Sequence, residues 1–215
     1  MRICIVGTGY VGLVTAACFA EMGSQVSCVD IDEEVVRELN QGGVHIYEPG
    51  LEDLVRKNLE AGRLGFTTDL QAGQEGALFI FICVGTPSSE NGECDMSSVY
   101  QVAGEIGRCI SEEKIVVNKS TVPVGTVDKV RSIIREELGR REMDLDFDVV
   151  SNPEFLKEGD AVSDFLKPDR VIVGTDNEHS TEKLEALYAP FARSRDKLLV
   201  MSPRSAEMSK YSANC

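Results

Sequence analysis

The residues with the clearest chemical potential form a glycine-rich segment near the N-terminus, residues 7–12, Gly-Thr-Gly-Tyr-Val-Gly. At this spacing Gly7 permits a tight turn, Gly9 lets the backbone approach a pyrophosphate, and Gly12 lets a helix pack closely on a strand. Asp30 follows Gly12 by eighteen residues, where its carboxylate can accept hydrogen bonds from a ribose diol. The pattern predicts a dinucleotide site that takes NAD rather than NADP. The alternative is a glycine-rich turn in an α/β domain that binds nothing.

Polar residues also follow several later apolar runs, at residues 85–87, 120–121 and 152–159. In an open sheet of parallel strands, ligands bind outside the carboxyl ends of the strands. Because these clusters and residues 7–12 all fall where a strand is expected to end, they should meet at one edge of the sheet. That convergence is stronger evidence for a site than any one of the clusters.

Taken one at a time, the polar residues of these clusters also fit purely structural roles. Glu154 or Glu158 could be an N-cap or a first-turn acid after a proline-containing turn. Thr121 could cap a helix, and Lys210, in the C-terminal segment, could be a solvent-exposed helix lysine. On the residues alone, these alternatives stay open.

The elements that must position these residues alternate along the chain. Apolar runs predict strands at residues 2–6, 26–29, 66–68, 77–84, 115–117, 147–150, 171–174 and 198–201. Helical spacing predicts a small-residue helix after residue 12 that is closed by Gly23, and helices at 33–40, 51–62, 95–110, 126–138 and 178–191. Residues 48–50, Glu-Pro-Gly, are expected to form a turn. Such alternation predicts an α/β fold with a doubly wound, mostly parallel sheet.

The domain boundaries follow from the same pattern. Residues 1–202 are expected to form one Rossmann-like domain, and residues 203–215 the start of a long connecting helix. This last segment has helical spacing but no C-cap signal, so we expect it to belong to a larger architecture.

Composition narrows the class of protein and of partner. The formal net charge is −14 over 215 residues, which argues against nucleic acid or an anionic membrane as the main partner. The seven cysteines form no C-x-x-C pair, which suggests reduced thiols. The first strand is expected to begin without a leader before it, which suggests a cytoplasmic location. With His45 and His179 as the only histidines, no metal-ligand spacing appears, and we expect no metal site.

Six segments in order resemble the UDP-glucose/GDP-mannose dehydrogenase family over nearly the whole chain. They read GTGYVGLVTAACFAEMG, IYEPGLEDLV, ICVGTPSSENGECDMSSV, KSTVPVGT, SNPEFLKEGDAVSDFLKPDRVIVG and SAEMSKYSAN. The forms EFLKEG and PDRVIVG look most like the UDP-glucose branch. GDP-mannose or UDP-N-acetylhexosamine oxidation is the alternative within the family, and a non-catalytic dinucleotide-binding module is the alternative outside it.

The resemblance implies roles for individual residues. The family oxidises a sugar CH2OH group to a carboxylate in two NAD-dependent steps, through a thioester on a cysteine. The positions that match its NAD site are Gly7, Gly9, Tyr10, Val11, Gly12, Asp30, Thr86, Thr121 and Glu158. Those that match catalytic positions are Thr121, Glu154, Glu158 and Lys210, with Glu158 near the nicotinamide. Those that match substrate-side positions are Glu154, Lys157, Lys210 and Asn214. A homodimer is implied for the full-length form.

Three departures from the family pattern qualify these expectations. The family's nucleophilic cysteine lies beyond the last matched segment, and Cys215 does not match it. Val35 stands where the family commonly has Lys or Arg near the cofactor ribose, which puts one cofactor contact in doubt. His45 stands where a proline is usual. We therefore expect the chain by itself to lack the complete reaction.

Overall fold

A single sheet of eight strands runs through the computed structural model, which describes residues 1–88, 92–192 and 197–214. The strand order is β3-β2-β1-β4-β5-β6-β7-β8. Adjacent strands are parallel except for β6 and β7, which form one antiparallel bridge between Ser151 and Gly174. The strands are β1 (Arg2–Val6), β2 (Gln25–Val29), β3 (Leu64–Thr67), β4 (Phe79–Ile82), β5 (Lys114–Asn118), β6 (Phe147–Ser151), β7 (Val171–Gly174) and β8 (Leu198–Met201). The predicted doubly wound, mostly parallel sheet is confirmed.

Helices cover both faces of this sheet. They are α1 (Tyr10–Glu21), α2 (Glu33–Asn40), α3 (Leu51–Glu60), α4 (Leu70–Gly73), α5 (Ser97–Cys109), α6 (Thr126–Arg140), α7 (Ala161–Leu166), α8 (Glu178–Tyr188) and α9 (Pro203–Asn214). Each helix expected from apolar spacing is present, whereas the short helices α4 and α7 were not anticipated, because four to six residues carry too little periodicity. Across the described ranges, none of the helices is long and apolar enough to cross a membrane.

The central strand β4 shows why its sequence is continuously apolar. Phe79 and Phe81 belong to the core on one face of the sheet, and Ile80 and Ile82 to the core on the other. All four side chains are fully buried. Successive side chains of a strand point to opposite faces, so a strand covered on both sides needs apolar residues throughout.

Most of the central residues of helix α1 are small, so that the helix packs closely on the sheet. The side chains from Leu13 to Ala20 are buried, and Gly23, with φ of 92°, adopts the left-handed conformation that ends the helix. Near the C-terminal end of the helix, Phe19 meets the rings of Phe81 and Phe165 at centroid distances of 5.3 Å. The backbone of α1 is thereby fixed relative to the carboxyl ends of the strands.

The C-terminal helix α9 is joined to the domain by a buried carboxylate. Glu207 accepts hydrogen bonds from the backbone N–H groups of Gly125 (2.6 Å) and Val127 (2.8 Å), at the start of α6. The first N–H groups of a helix have no acceptor within the helix, so Glu207 supplies the acceptor that these two groups lack. Ala206 is also fully buried. The described part of α9 is therefore packed into the domain.

We expect Phe19→Ala to destabilise the fold by about 3–5 kcal/mol, because a fully buried aromatic ring would leave a cavity that its neighbours cannot fill. Urea unfolding, followed by circular dichroism, measures the change. Phe19→Leu should cost clearly less, since it keeps most of the apolar volume. Equal stability of wild type and Phe19→Ala would contradict this packing.

Candidate functional site

The three glycines of the glycine-rich segment are required for different reasons. Gly7 has φ of 96°, and a Cβ there would lie 2.8 Å from the Cys83 carbonyl oxygen. A Cβ on Gly12 would lie 1.9 Å from the Gly7 carbonyl oxygen. At Gly9, in contrast, an added Cβ meets no protein atom within 4 Å. The fold excludes side chains at positions 7 and 12, whereas position 9 faces open space in which a ligand can approach the backbone.

That open space lies at the start of helix α1. Gly9 provides no side-chain cap, and the first helical bond runs from Leu13 N–H to the Gly9 carbonyl. The N–H groups of Tyr10, Val11 and Gly12 therefore have no acceptor within the helix. Unpaired N–H groups and the positive end of the helix dipole favour an anion such as a phosphate.

A cavity of about 290 Å³ extends from this helix start along the sheet edge. Its wall includes Gly7, Gly9, Asp30, Ile31 and Gly85, together with residues of α5. The cavity thus joins the ends of β1, β2 and β4, as expected for a ligand site at the carboxyl edge of a parallel sheet.

Asp30 is held towards the glycine-rich segment. Its Oδ2 accepts hydrogen bonds from the backbone N–H (2.7 Å) and the hydroxyl (2.6 Å) of Thr8. Half-burial by itself raises the pKa of Asp30, but the Thr8 hydrogen bonds and those from the Asp32 and Ile31 backbones outweigh it and hold the pKa below its ordinary value. The carboxylate is therefore anionic at neutral pH and fixed in the cavity wall.

Thr86 and Thr121 lie together at the next two strand ends. The Thr86 hydroxyl donates to the Thr121 carbonyl oxygen (2.8 Å), and the Ser120 hydroxyl donates to the Val84 carbonyl oxygen (2.7 Å). These bonds connect the loop after β4 to the loop after β5. The cap of α6 is Gly125, so Thr121 does not have the helix-capping role that the sequence left open.

Glu154 and Lys210 form an ion pair between the loop after β6 and helix α9. Lys210 Nζ donates to Glu154 Oε1 at 2.7 Å, and the two side chains are 10% and 12% exposed. Glu154 Oε2 accepts from Leu156 N–H at 2.7 Å. Lys210 is therefore not the solvent-exposed helix lysine that the sequence also allowed, and Glu154 is not a helix cap.

A buried lysine lies behind this pair, and sequence reasoning gave it no role. Lys119 is 5% exposed and donates from Nζ to Asn152 Oδ1 (3.2 Å), which also accepts from the Tyr188 hydroxyl (2.6 Å). Burial lowers the pKa of Lys119, although Cys83 and Glu154 act in the opposite direction. Lys119 and Glu154 line a second cavity, of about 280 Å³, beneath the loop that carries Glu154.

The remaining residues expected in the site occupy less enclosed positions. Lys157 and Glu158 are exposed, next to Tyr10, whose hydroxyl lies 3.5 Å from the Lys157 carbonyl oxygen. Asn214 ends helix α9, and its side chain and Cys215 lie outside the described residues. No group of three His, Cys, Asp or Glu side chains within the described ranges could hold a metal ion.

The structure shows the surroundings of two residues that depart from the family pattern. Val35 packs against the hydrophobic core beside α1 and is partly buried, so an apolar side chain is accommodated at the start of α2. His45 is exposed in the loop before α3.

Comparison with known proteins identifies close relatives. Residues 1–192 match the model of the UDP-glucose/GDP-mannose dehydrogenase family, NAD binding domain. A UDP-glucose 6-dehydrogenase from Pseudomonas aeruginosa is 54% identical over the full chain, which covers 47% of that protein. The chain thus spans about half the length of the curated relatives it matches.

Solved structures of nucleotide-sugar dehydrogenases also superpose closely on this chain. A UDP-glucose dehydrogenase from Pyrobaculum islandicum superposes with a TM-score of 0.92 at 39% identity, over 99% of this chain and 49% of that one. A GDP-mannose dehydrogenase from Pseudomonas aeruginosa, solved as a ternary complex, superposes with a TM-score of 0.91 at 38% identity, over 100% and 49% respectively.

We expect Asp30→Asn to change the acid dependence of stability. A carboxylate whose pKa is lower in the folded protein than in the unfolded chain stabilises the fold fully above its ordinary pKa of 3.8. This contribution is lost as the pH falls through the lower, folded-state pKa. The unfolding free energy of wild type should therefore exceed that of Asp30→Asn at pH 7, with a smaller difference at pH 3. A difference that does not change with pH would contradict the Thr8 contacts.

We expect Lys210→Met to lower the free energy of unfolding by about 3 kcal/mol, because it leaves the Glu154 carboxylate nearly buried without its cation. Glu154→Gln combined with Lys210→Met should recover much of the loss, since neither member of the pair is then left charged without its partner. Urea unfolding of the two single variants and the double variant gives the coupling between the two sites. Additive effects would show that the pair does not interact.

Proposed function

Because this chain belongs to the UDP-glucose/GDP-mannose dehydrogenase family, we propose that it is the cofactor-binding part of an enzyme that oxidises UDP-glucose to UDP-glucuronate with NAD. The chain is an NAD-binding Rossmann-like domain of a family of oxidoreductases. UDP-glucose is favoured because the relative with 54% identity carries that activity in its name. GDP-mannose is the second candidate substrate, favoured by the superposition on a GDP-mannose dehydrogenase.

The observation that carries this proposal is the open face of Gly9 beside the unpaired N–H groups of α1. Those N–H groups, on Tyr10, Val11 and Gly12, would bind the NAD pyrophosphate. The fixed carboxylate of Asp30 would accept hydrogen bonds from a ribose diol and would repel the 2′-phosphate of NADP. When bound, NAD supplies a hydride acceptor next to the substrate. Thr86, Thr121 and Glu158 would border its nicotinamide end.

The Glu154 and Lys210 pair is suited to the substrate end of the site. In the oxidation of an alcohol, a group must accept the hydroxyl proton, which a carboxylate such as Glu154 can do. The Lys210 ammonium would stabilise the negative charge that develops on the oxygen. Leu156 N–H orients Glu154, and Glu207 anchors the helix that carries Lys210. Lys157 and Asn214 complete the proposed substrate contacts.

Complete turnover needs more of the protein than this chain. The chain spans about half the length of its relatives, and the thioester-forming cysteine of the family would lie in the other half. We propose that residues 1–202 form the cofactor domain, that α9 begins the helix connecting it to the second half, and that the full-length form is a homodimer. A cytoplasmic location fits the free thiols among the described cysteines.

An NAD titration of this chain by calorimetry tests the proposal, with two glycine variants that separate binding from folding. Gly9→Ala should fold with native stability, because its Cβ meets no protein atom, yet lose at least about tenfold in NAD affinity. NADP should bind more weakly than NAD to the wild type. Absence of NAD binding by the folded wild type up to millimolar concentration would overturn the proposal.

Gly12→Ala is the matched control for a structural glycine. Its Cβ would overlap the Gly7 carbonyl oxygen, so this variant should lose stability as well as NAD affinity. If Gly9→Ala were destabilised to the same extent as Gly12→Ala, the space beside Gly9 would not be open, and a loss of NAD affinity in that variant could not be assigned to the ligand contact.

A further inference from the structure

A buried carboxylate in the loop before α3 connects parts of the chain that are far apart in sequence. Glu48 is 6% exposed. Its Oε2 accepts hydrogen bonds from the Tyr10 hydroxyl and from Gly159 N–H (2.8 Å), and its Oε1 from Val162 N–H (3.3 Å). The partners are 38, 111 and 114 residues from Glu48 in the sequence. They comprise the first residue of α1 and the segment that runs into α7.

Glu48 binds one neighbour of Glu158 directly, and its partner Tyr10 lies close to the other. Gly159 N–H binds Glu48 directly and also lies 3.1 Å from the Tyr10 hydroxyl oxygen. On the other side, the Tyr10 hydroxyl lies 3.5 Å from the Lys157 carbonyl oxygen. In the described part of the chain, the exposed Glu158 carboxylate itself has no hydrogen bond or ion pair. Its position is therefore set by the backbone on either side of it.

Other contacts hold the Lys157 end of this segment: Asp164 Oδ2 accepts from Lys157 N–H (3.0 Å), and the Lys157 carbonyl oxygen accepts from Asp160 N–H (3.0 Å). Neither involves the N–H groups of Gly159 and Val162, which donate to Glu48. Asp160, the residue before α7, forms no side-chain cap, so the first turn of α7 depends on Glu48 for an acceptor. The carboxylate is anionic: burial raises the pKa of Glu48, but the hydrogen bonds from Tyr10, Gly159, Val162 and Ala161 outweigh burial and hold it below the ordinary value. Burial together with the Glu48 bond raises the pKa of Tyr10 to about 12, which keeps its hydroxyl a donor.

We propose that Glu48 is a positioning residue, which holds the Lys157–Gly159 segment, and with it the Glu158 carboxylate, against the N-terminus of the cofactor-binding helix α1. The inference rests on the proposed function, in which Glu158 borders the nicotinamide end of NAD. Glu48 touches neither cofactor nor substrate. It acts through the Tyr10 hydroxyl and the Gly159 backbone, not through the Tyr10 N–H that would face the pyrophosphate, and so affects the nicotinamide half of the site and not the adenosine half around Asp30.

The test compares Glu48→Gln with Glu52→Gln in this chain. Glu52 is a matched control because it is four residues away and its side chain forms an exposed ion pair with Arg56. Two quantities are measured: amide hydrogen exchange at Gly159 and Val162 without ligand, and the affinities for NAD and for ADP-ribose, which lacks nicotinamide. Glu48→Gln should exchange at least about tenfold faster at both amides and should lose about tenfold in NAD affinity, with ADP-ribose affinity retained. Glu52→Gln should match the wild type throughout.

Two results would overturn the positioning role. One is unchanged exchange at Gly159 in folded Glu48→Gln, and the other is an equal loss of NAD and ADP-ribose affinity. If Glu48→Gln does not fold, Tyr10→Phe decides instead, since it removes the hydroxyl and should produce the same selective loss to a smaller extent. Failure of the wild type to bind NAD would refute the proposed function, while the exchange measurement would still decide whether Glu48 holds the segment.

Discussion

The contact between Gly7 and Gly12 is the constraint on which the rest of the site depends. With only hydrogen at both Cα positions, the first turn of α1 can lie directly against the turn that leaves β1. This contact places unpaired helix N–H groups at the carboxyl edge of the sheet, next to Asp30. It also places Tyr10, the first residue of α1, within reach of Glu48 and the Lys157–Gly159 segment. A larger residue at either glycine would displace all of these groups together.

Four buried charged side chains hold the loops around the same edge of the sheet. Glu48, Lys119, Glu207 and Lys210 are all buried or nearly so, in a chain with a formal net charge of −14. Burying a charged group is costly unless it is paired or well hydrogen-bonded. Each of these groups connects segments distant in sequence, so that the loops of the site are held by specific polar contacts and not by apolar packing alone.

Much of the fold follows from local pattern. The apolar run before Gly7 gives β1, and the small residues after Gly12 give a helix that ends at Gly23. The run at residues 77–84 indicated a strand covered on both faces, although β4 is only Phe79–Ile82. The short helix α7 gave no usable signal. Glu48 completes the first turn of α7 by accepting a hydrogen bond from Val162 N–H. The two residues are 114 positions apart, and the sequence indicated Glu48 only as part of a turn.

The sequence by itself determined the order of the strands and of the longer helices, the fold class and the family, and it indicated which polar residues follow the carboxyl ends of the strands. Hydrophobic periodicity and glycine requirements are local properties, so they can be read within a window of some ten residues. Only the tertiary structure decided that Lys210 is nearly buried against Glu154, that Glu207 anchors its helix, and that Lys119 and Glu48 bind segments distant in the sequence. The physical reason is that a hydrogen bond or ion pair between distant segments depends on the path of the whole chain, and no local pattern records it.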